Sequence, residues 1–253
     1  MRKMSACVMG SVIWFAAVCA TAQEPVFTSS EYQCKIFSRY LKNSGIINLK
    51  KGDKTLISRN RVSAGLKDPG GKNVGIWEKA NPEYIWKNNV LTSRKTVVSR
   101  DAMAEPYAET SREIQFSDNK ISSEIVIKNL RDMTFAQTWT VYQENVFFIT
   151  EPLIGMRLDG VKMDSQPLST VIPRKFDKKK WGFKDFVKKL TLTGQDQATI
   201  TVTAAPNCKL RFIHYGGKEI ELYVQPIIKP QDLRQKAGQE MKIGYSIEFG
   251  KDE

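Results

Sequence analysis

The chain has 253 residues, 39 Lys and Arg against 27 Asp and Glu for a formal net charge of +12, 41% hydrophobic residues and one histidine. One histidine excludes metal sites built on two or three imidazoles and catalysis that needs a histidine pair. The length is enough for a full core, and the positive charge favours anionic partners.

Met1-Arg2-Lys3-Met4 is a short cationic start, followed by an apolar run from Ala6 to Ala20 and the small residues Ala20-Thr21-Ala22. A spanning helix needs roughly 20 apolar residues. The shorter run is therefore expected to be an export signal, residues 1–22, cleaved before Gln23. Cys19 follows Val18, bulkier than the residue that lipoprotein processing normally uses, so lipidation is not expected. No later window reads as a membrane span. Loss of Arg2 and Lys3 lowers the formal charge to +10. Residues 23–253 carry no low-complexity linker and no internal repeat, so a single domain is expected, in the periplasm or the medium. With export, the expected anionic partners are polysaccharide or envelope components and not nucleic acid. Cys34 and Cys208 remain after cleavage, and an oxidising compartment allows them to form one disulfide or to stay as two buried small residues.

The first strands are expected at 32–39 and 45–49, with Lys51-Gly52-Asp53 as a tight turn into a strand at 55–58. Residues 60–90, punctuated by Asp68-Pro69-Gly70-Gly71 and Asn81-Pro82, read as loops carrying Trp77 and Trp86. Strands resume at 90–100 and 112–116, and Ser117-Asp118-Asn119 makes a hairpin turn. In 120–129, Ile121, Ser123, Ile125 and Ile127 share one face, the period-2 pattern of a half-buried strand. The same alternation predicts a strand at 135–142. Lys184–Lys189 reads as a single helical turn. The pair 189–193 and 198–203 brackets a turn, as does the pair 209–215 and 219–225 around Gly216-Gly217. A residue 233–240 approach turn leads into the clearest strand, where Met241, Ile243, Tyr245, Ile247 and Phe249 alternate with polar residues. So many short strands must close as a barrel or pack as two sheets to keep their apolar faces dry. The expected fold is all-β, two packed and mainly antiparallel sheets in a large β-sandwich.

His214 shares a strand face with Cys208, Leu210 and Phe212, beside a glycine turn. It reads either as a core-rim histidine or as a proton-transfer group that works with Arg211 and a tyrosine such as Tyr215 or Tyr223. No Gly-x-Ser-x-Gly elbow is present, which argues against a serine hydrolase. The stretch Arg174–Lys184 interleaves cations with aromatics. Lys178, Lys179, Lys180, Trp181 and Phe183 are candidates for binding an anionic polymer, and Trp77 and Trp86 are further stacking candidates. The alternative for each aromatic is a ring tucked into the core.

The segments 111–116 and 125–130, the stretch 135–142, and the opening 45–49 with Lys51-Gly52-Asp53 resemble the large β-sandwich domains of the galactose-mutarotase-like group. Those domains occur in sugar epimerases, polysaccharide lyases and accessory modules of glycan-degrading enzymes. The epimerases use more than one histidine with a glutamate, so the resemblance implies the fold without that chemistry. The expected function is binding of a polysaccharide, acidic or sulfated, without catalysis, metal or cofactor. The alternatives are a polysaccharide lyase or glycoside hydrolase, and a basic envelope structural protein.

Overall fold

The computed structural model describes residues 26–35, 47–68, 70–78, 83–99, 105–176, 181–183, 185–215 and 217–251. The expected export signal lies outside them. The described residues form β1 (Val26–Thr28), β2 (Gln33–Lys35), β3 (Ile47–Lys51), β4 (Lys54–Lys67), β5 (Asn73–Glu78), β6 (Glu83–Lys87), β7 (Val90–Ser99), β8 (Ala108–Phe116), β9 (Lys120–Asn129) and β10 (Met133–Phe135). They continue with β11 (Gln143–Ile149), β12 (Arg157–Lys162), β13 (Pro167–Val171), β14 (Trp181–Gly182), β15 (Val187–Thr193), β16 (Ala198–Ala204), β17 (Cys208–His214), β18 (Glu219–Pro226), β19 (Arg234–Gln235) and β20 (Glu240–Lys251).

Pairing is antiparallel throughout these strands and builds two layers. The first runs β3–β4–β11–β18–β17–β14. The second runs β6–β7–β8–β9–β20–β16–β15–β12–β13. β5 bridges β4 to β7, and the Val187 to Leu210 pair joins β15 to β17, so hydrogen bonding passes from layer to layer in a barrel-like closure. The architecture is the expected all-β one.

Period-2 patterning drives it. β8 buries Ala108, Thr110, Arg112, Ile114 and Phe116 and exposes every residue between them. β9 and β20 turn Ile121, Ile125, Ile127, Ile243 and Ile247 inward, where they meet Val62, Val146, Phe148, Leu222 and Val224 of the other layer. At the β3–β4 turn Gly52 has φ +57°, a left-handed conformation that glycine adopts without cost.

Three sequence expectations are corrected, and one open reading, the state of Cys34 and Cys208, is decided. Residues 60–90 are not loops: β4 continues to Lys67, with Asn60, Val62, Ala64 and Leu66 on its inner side, and β5 and β6 follow. The glycine and proline signals mark turns between these strands, and Asp68 closes one of them by bonding Lys72 and Gly71.

Residues 135–142 are not a strand. β10 stops at Phe135 and the chain crosses β4, bonded to Gly65 through Ala136 N–H (3.0 Å) and through the Thr140 carbonyl (2.7 Å). The Thr140 hydroxyl and amide tie back to Gln137, at 3.0 and 2.9 Å, to make the local turn. Gly65 permits the crossing, because a Cβ there would lie 3.0 Å from Thr140 Cβ. The actual strand is β11, buried on both sides and so without alternation.

Lys184–Lys189 does not form a helical turn among its described residues, since Val187 already opens β15. The disulfide considered for Cys34 and Cys208 is not formed either. Each is a buried thiol, and Cys208 Sγ accepts the Gly244 N–H at 3.4 Å. Burial pushes the Cys208 thiol pKa up.

Candidate functional site: a cationic aromatic face on the first layer

On the outer side of the first layer, β4, β18 and β17 present polar residues on either side of β11, whose outward Asn145 and Phe147 are buried beneath their neighbours. The inner side of β4, β11, β18 and β17 is mostly apolar, with Asn60, Glu144 and His214 as its polar members, so alternation sends Arg59, Arg61 and Ser63 outward from β4, and Asn145 and Phe147 from β11. Glu219, Glu221 and Tyr223 point outward from β18, and Lys209 and Arg211 from β17.

Register aligns these residues into cross-strand rows. Arg61 pairs with Asn145, Asn145 with Tyr223, and Tyr223 with Arg211. Three interstrand spacings make this row about 14 Å long, with Asn145 buried within it. Next to it, Phe147 is covered by two guanidinium groups, Arg59 at 4.2 Å and Arg61 at 5.3 Å from the ring centroid. These contacts fix the planes of both forks.

The charges are unequally satisfied. Arg59 holds Glu219 through two bonds of 2.8 and 2.7 Å, and the Ser58 hydroxyl adds a third at 2.7 Å. Glu221 accepts the Tyr223 hydroxyl at 2.6 Å and the Asn145 amide at 3.5 Å. Burial, Glu221 and the neighbouring Tyr215 push the Tyr223 phenol far above its ordinary pKa, so it stays a proton donor. Arg61 and Arg211 meet no carboxylate among the described residues, and the Nε of each is buried without an acceptor. Arg211 and Lys209 instead lie over Phe186, at 5.7 and 4.0 Å. Burial lowers the Lys209 pKa.

Aromatics rim this face. Trp139, on the segment that crosses β4, is 53% exposed, and Gln225 Nε2 anchors that segment by donating to the Thr138 carbonyl at 3.2 Å. Trp77 pairs with Ser63 and so shares its side of the sheet. Tyr215 is 44% exposed and meets Tyr223 edge to face, centroids 6.2 Å apart.

The candidates read from the sequence therefore separate. Arg211, Tyr215, Tyr223 and Trp77 converge on this face. His214 points the other way: it is buried, stacked on Phe176 at 3.7 Å, with Nε2 3.3 Å from the Gly217 carbonyl. It cannot share a reacting bond with Arg211, because neighbouring strand residues leave opposite faces. Trp181 packs edge-on against Phe176, and Phe183 is buried so close to Gly160 that a Cβ there would sit 2.6 Å from its ring. Trp86 packs on Phe116 at the far end of the second layer. Lys178, Lys179 and Lys180 lie outside the described residues.

Arg59, Arg61, Asn145, Glu221 and Trp139 were not singled out from the sequence. The signal for the arginines was present in Arg59-Asn60-Arg61-Val62-Ser63-Ala64, an alternation of charged and small residues with buried ones.

A second group of charges is sealed between the layers. Glu78 accepts from Lys95 (3.3 Å), Arg112 (3.4 Å), the Val62 N–H (3.0 Å) and the Thr110 hydroxyl (2.9 Å). Glu144 meets Arg112 at 3.5 Å and is bonded by Asn60. Burial opposes ionisation of Glu78, but Arg112, Lys95 and the hydrogen bonds outweigh it and hold the pKa at about 2. Burial wins at Glu144, whose pKa is raised, and at Lys95, lowered to about 8. These groups are beyond the reach of a surface ligand.

The outer side of the second layer carries a shallow cleft of about 620 Å³ lined by Arg94, Thr96, Glu109, Ser111, Lys128 and Glu240 among others. Its charges are mixed and no aromatic ring lines it, so the first layer is the better equipped face. Among the described residues no group of three or more His, Cys, Asp or Glu is placed to hold a metal ion.

No protein-family model matches the sequence, and no curated protein does. Solved structures do share the fold. Slr1438 from Synechocystis sp. PCC 6803 superposes with a TM-score of 0.57 at 9% identity, covering 90% of this chain and 95% of that one. A galactose mutarotase-like protein from Lactobacillus casei ATCC 334 gives 0.56 at 10% identity, covering 89% and 99%. A galactose mutarotase related enzyme from Lactobacillus acidophilus gives 0.53 at 11% identity, covering 90% and 97%. The chain thus has the galactose-mutarotase-like β-sandwich fold that its strand segments resemble.

Proposed function

We propose that this chain is an exported carbohydrate-associated protein that binds an acidic or sulfated polysaccharide on the outer face of β4, β11, β18 and β17, without catalysis. The observation that carries the reading is the row Arg61–Asn145–Tyr223–Arg211, whose terminal cations lack carboxylate partners among the described residues while Trp139 and Tyr215 stand exposed beside it. Arginine forks recognise carboxylate and sulfate through paired hydrogen bonds, and aromatic faces stack on sugar rings. The names of the fold neighbours, which include galactose mutarotase relatives, support a sugar ligand. Lys178, Lys179 and Lys180 add to the attraction for a polyanion.

A lyase or hydrolase reading has less support. The Tyr223 phenol is held protonated and cannot take a proton from a sugar carbon. Glu219 is tied up by Arg59, which leaves Glu221 without the second carboxyl that glycoside hydrolysis ordinarily needs.

The test is affinity electrophoresis of the protein through gels containing neutral, uronic-acid or sulfated polysaccharides at rising salt, beside Arg61→Gln/Arg211→Gln. Selective retardation by an acidic polymer that persists at moderate salt and is lost in the variant supports the reading. Retardation that disappears from every anionic gel at modest salt, or that the variant keeps, overturns it.

A further inference from the structure

We infer that the cleft of about 550 Å³ at one end of the sandwich is a second binding site, for a small anion attached to an apolar body. It opens between the layers, where β4 ends beside β10 and β19. Its floor is therefore made of inward-facing residues, Leu66, Val74 and Met133, with the ring of Tyr107 at the side.

The rim is cationic. Arg131 lies flat on Tyr107, guanidinium carbon 3.6 Å from the ring centroid, and donates to the Glu105 carbonyl. Its plane is fixed in advance, and its Nε–H is buried without an acceptor among the described residues. Lys67 and Arg234 are exposed on the same rim and form no ion pair among the described residues. Of the two acids that line the cleft, Asp132 is ion-paired and Asp68 is held by a backbone N–H. Asp132 accepts Lys236 at 3.1 Å and the Ala237 N–H at 2.9 Å, and Asp68 accepts the Lys72 N–H at 2.7 Å.

An apolar floor under a rim of Lys67, Arg131 and Arg234, offset by the single unpaired carboxylate of Asp68 and so still net positive, selects a ligand that buries a hydrocarbon or aromatic body and leaves a carboxylate, sulfonate or phosphate at the mouth. A neutral sugar would waste the floor, and a simple inorganic anion would leave it wet. The site is separate from the Arg61–Arg211 row and stands independently of it.

The probe is 8-anilinonaphthalene-1-sulfonate, titrated by fluorescence and calorimetry against the folded protein, with the uncharged N-phenyl-1-naphthylamine as its counterpart. We expect saturable one-to-one binding that weakens about tenfold or more in Lys67→Gln/Arg234→Gln, the loss of charge-assisted bonds. Both changed side chains are exposed, so an unaltered thermal melt is expected alongside. Binding should be at least as tight in Arg61→Gln/Arg211→Gln, and the uncharged compound about tenfold weaker. No saturable binding, equal affinity for the uncharged compound, or loss in the Arg61/Arg211 variant alone would each overturn the proposal.

Discussion

Arg61 and Arg211 stand at the two ends of one cross-strand row, separated by Asn145 and Tyr223, and neither guanidinium meets a carboxylate among the described residues. Arg59, two residues from Arg61, is by contrast locked onto Glu219. Three arginines on one face thus differ: one is paired across strands and two have no carboxylate partner among the described residues.

Trp139 is an exposed ring on the segment that crosses β4, which predicts a spectroscopic signature for the proposed ligand. Addition of an acidic oligosaccharide should shift the tryptophan emission to the blue and protect it from iodide quenching. Trp139→Phe should abolish most of both effects, and Trp139→Ala should weaken binding by about 1–3 kcal/mol, the value of a stacked ring by analogy with stacked bases. Protection that persists in Trp139→Phe would move the binding surface elsewhere.

Phe183 is expected to behave as a core residue. Phe183→Ala should destabilise the fold by about 3–5 kcal/mol, measured by urea unfolding, because its buried ring fills the space over Gly160. Glycan affinity of the folded fraction should stay as in the parent. Loss of affinity with unchanged stability would make Phe183 a ligand contact.

The sealed charge cluster predicts an acid limb. Glu78 has a pKa of about 2 in the fold against an ordinary value of 4.5, so between these pH values the unfolded chain binds a proton that the native one does not. Stability from Glu78 is complete above pH 4.5 and is lost as pH falls toward 2. Glu144, raised by burial, has the opposite slope and lowers stability as pH climbs above 4.5. Glu78→Gln should flatten the acid limb of the melting temperature and cost about 3–5 kcal/mol at neutral pH, because Lys95 and Arg112 lose their shared partner. Thermal melts from pH 2 to pH 6 on both proteins decide this; parallel acid limbs would remove Glu78 as their source.

Cys34 and Cys208 should resist alkylation in the native state and react after denaturation without prior reduction, as mapped by mass spectrometry of iodoacetamide-labelled peptides. Dithiothreitol should leave the melting temperature unchanged. A requirement for reductant before labelling would establish a disulfide.

Much of the sheet was legible because period-2 alternation survives wherever one face is wet. β8, β9, β16, β18 and β20 show it, and their turns carry glycine, asparagine or aspartate. β11 was hidden because burial on both sides erases alternation. The alternating pattern at 135–142 was misleading: Phe135 and Tyr142 are buried, yet the chain between them turns over Gly65. That crossing depends on a contact between residues far apart in sequence.

The chain's own residues determined an all-β sandwich, a basic surface and a single histidine unsuited to histidine-pair chemistry. Tertiary structure alone decided that His214, Trp181 and Phe183 turn inward and that Arg61 and Arg211 fall in one row. It likewise decided that Cys34 and Cys208 do not meet. The reason is register: a strand's pattern tells which residues share its face, but which faces are apposed, and at what offset, depends on pairings among strands distant in the chain.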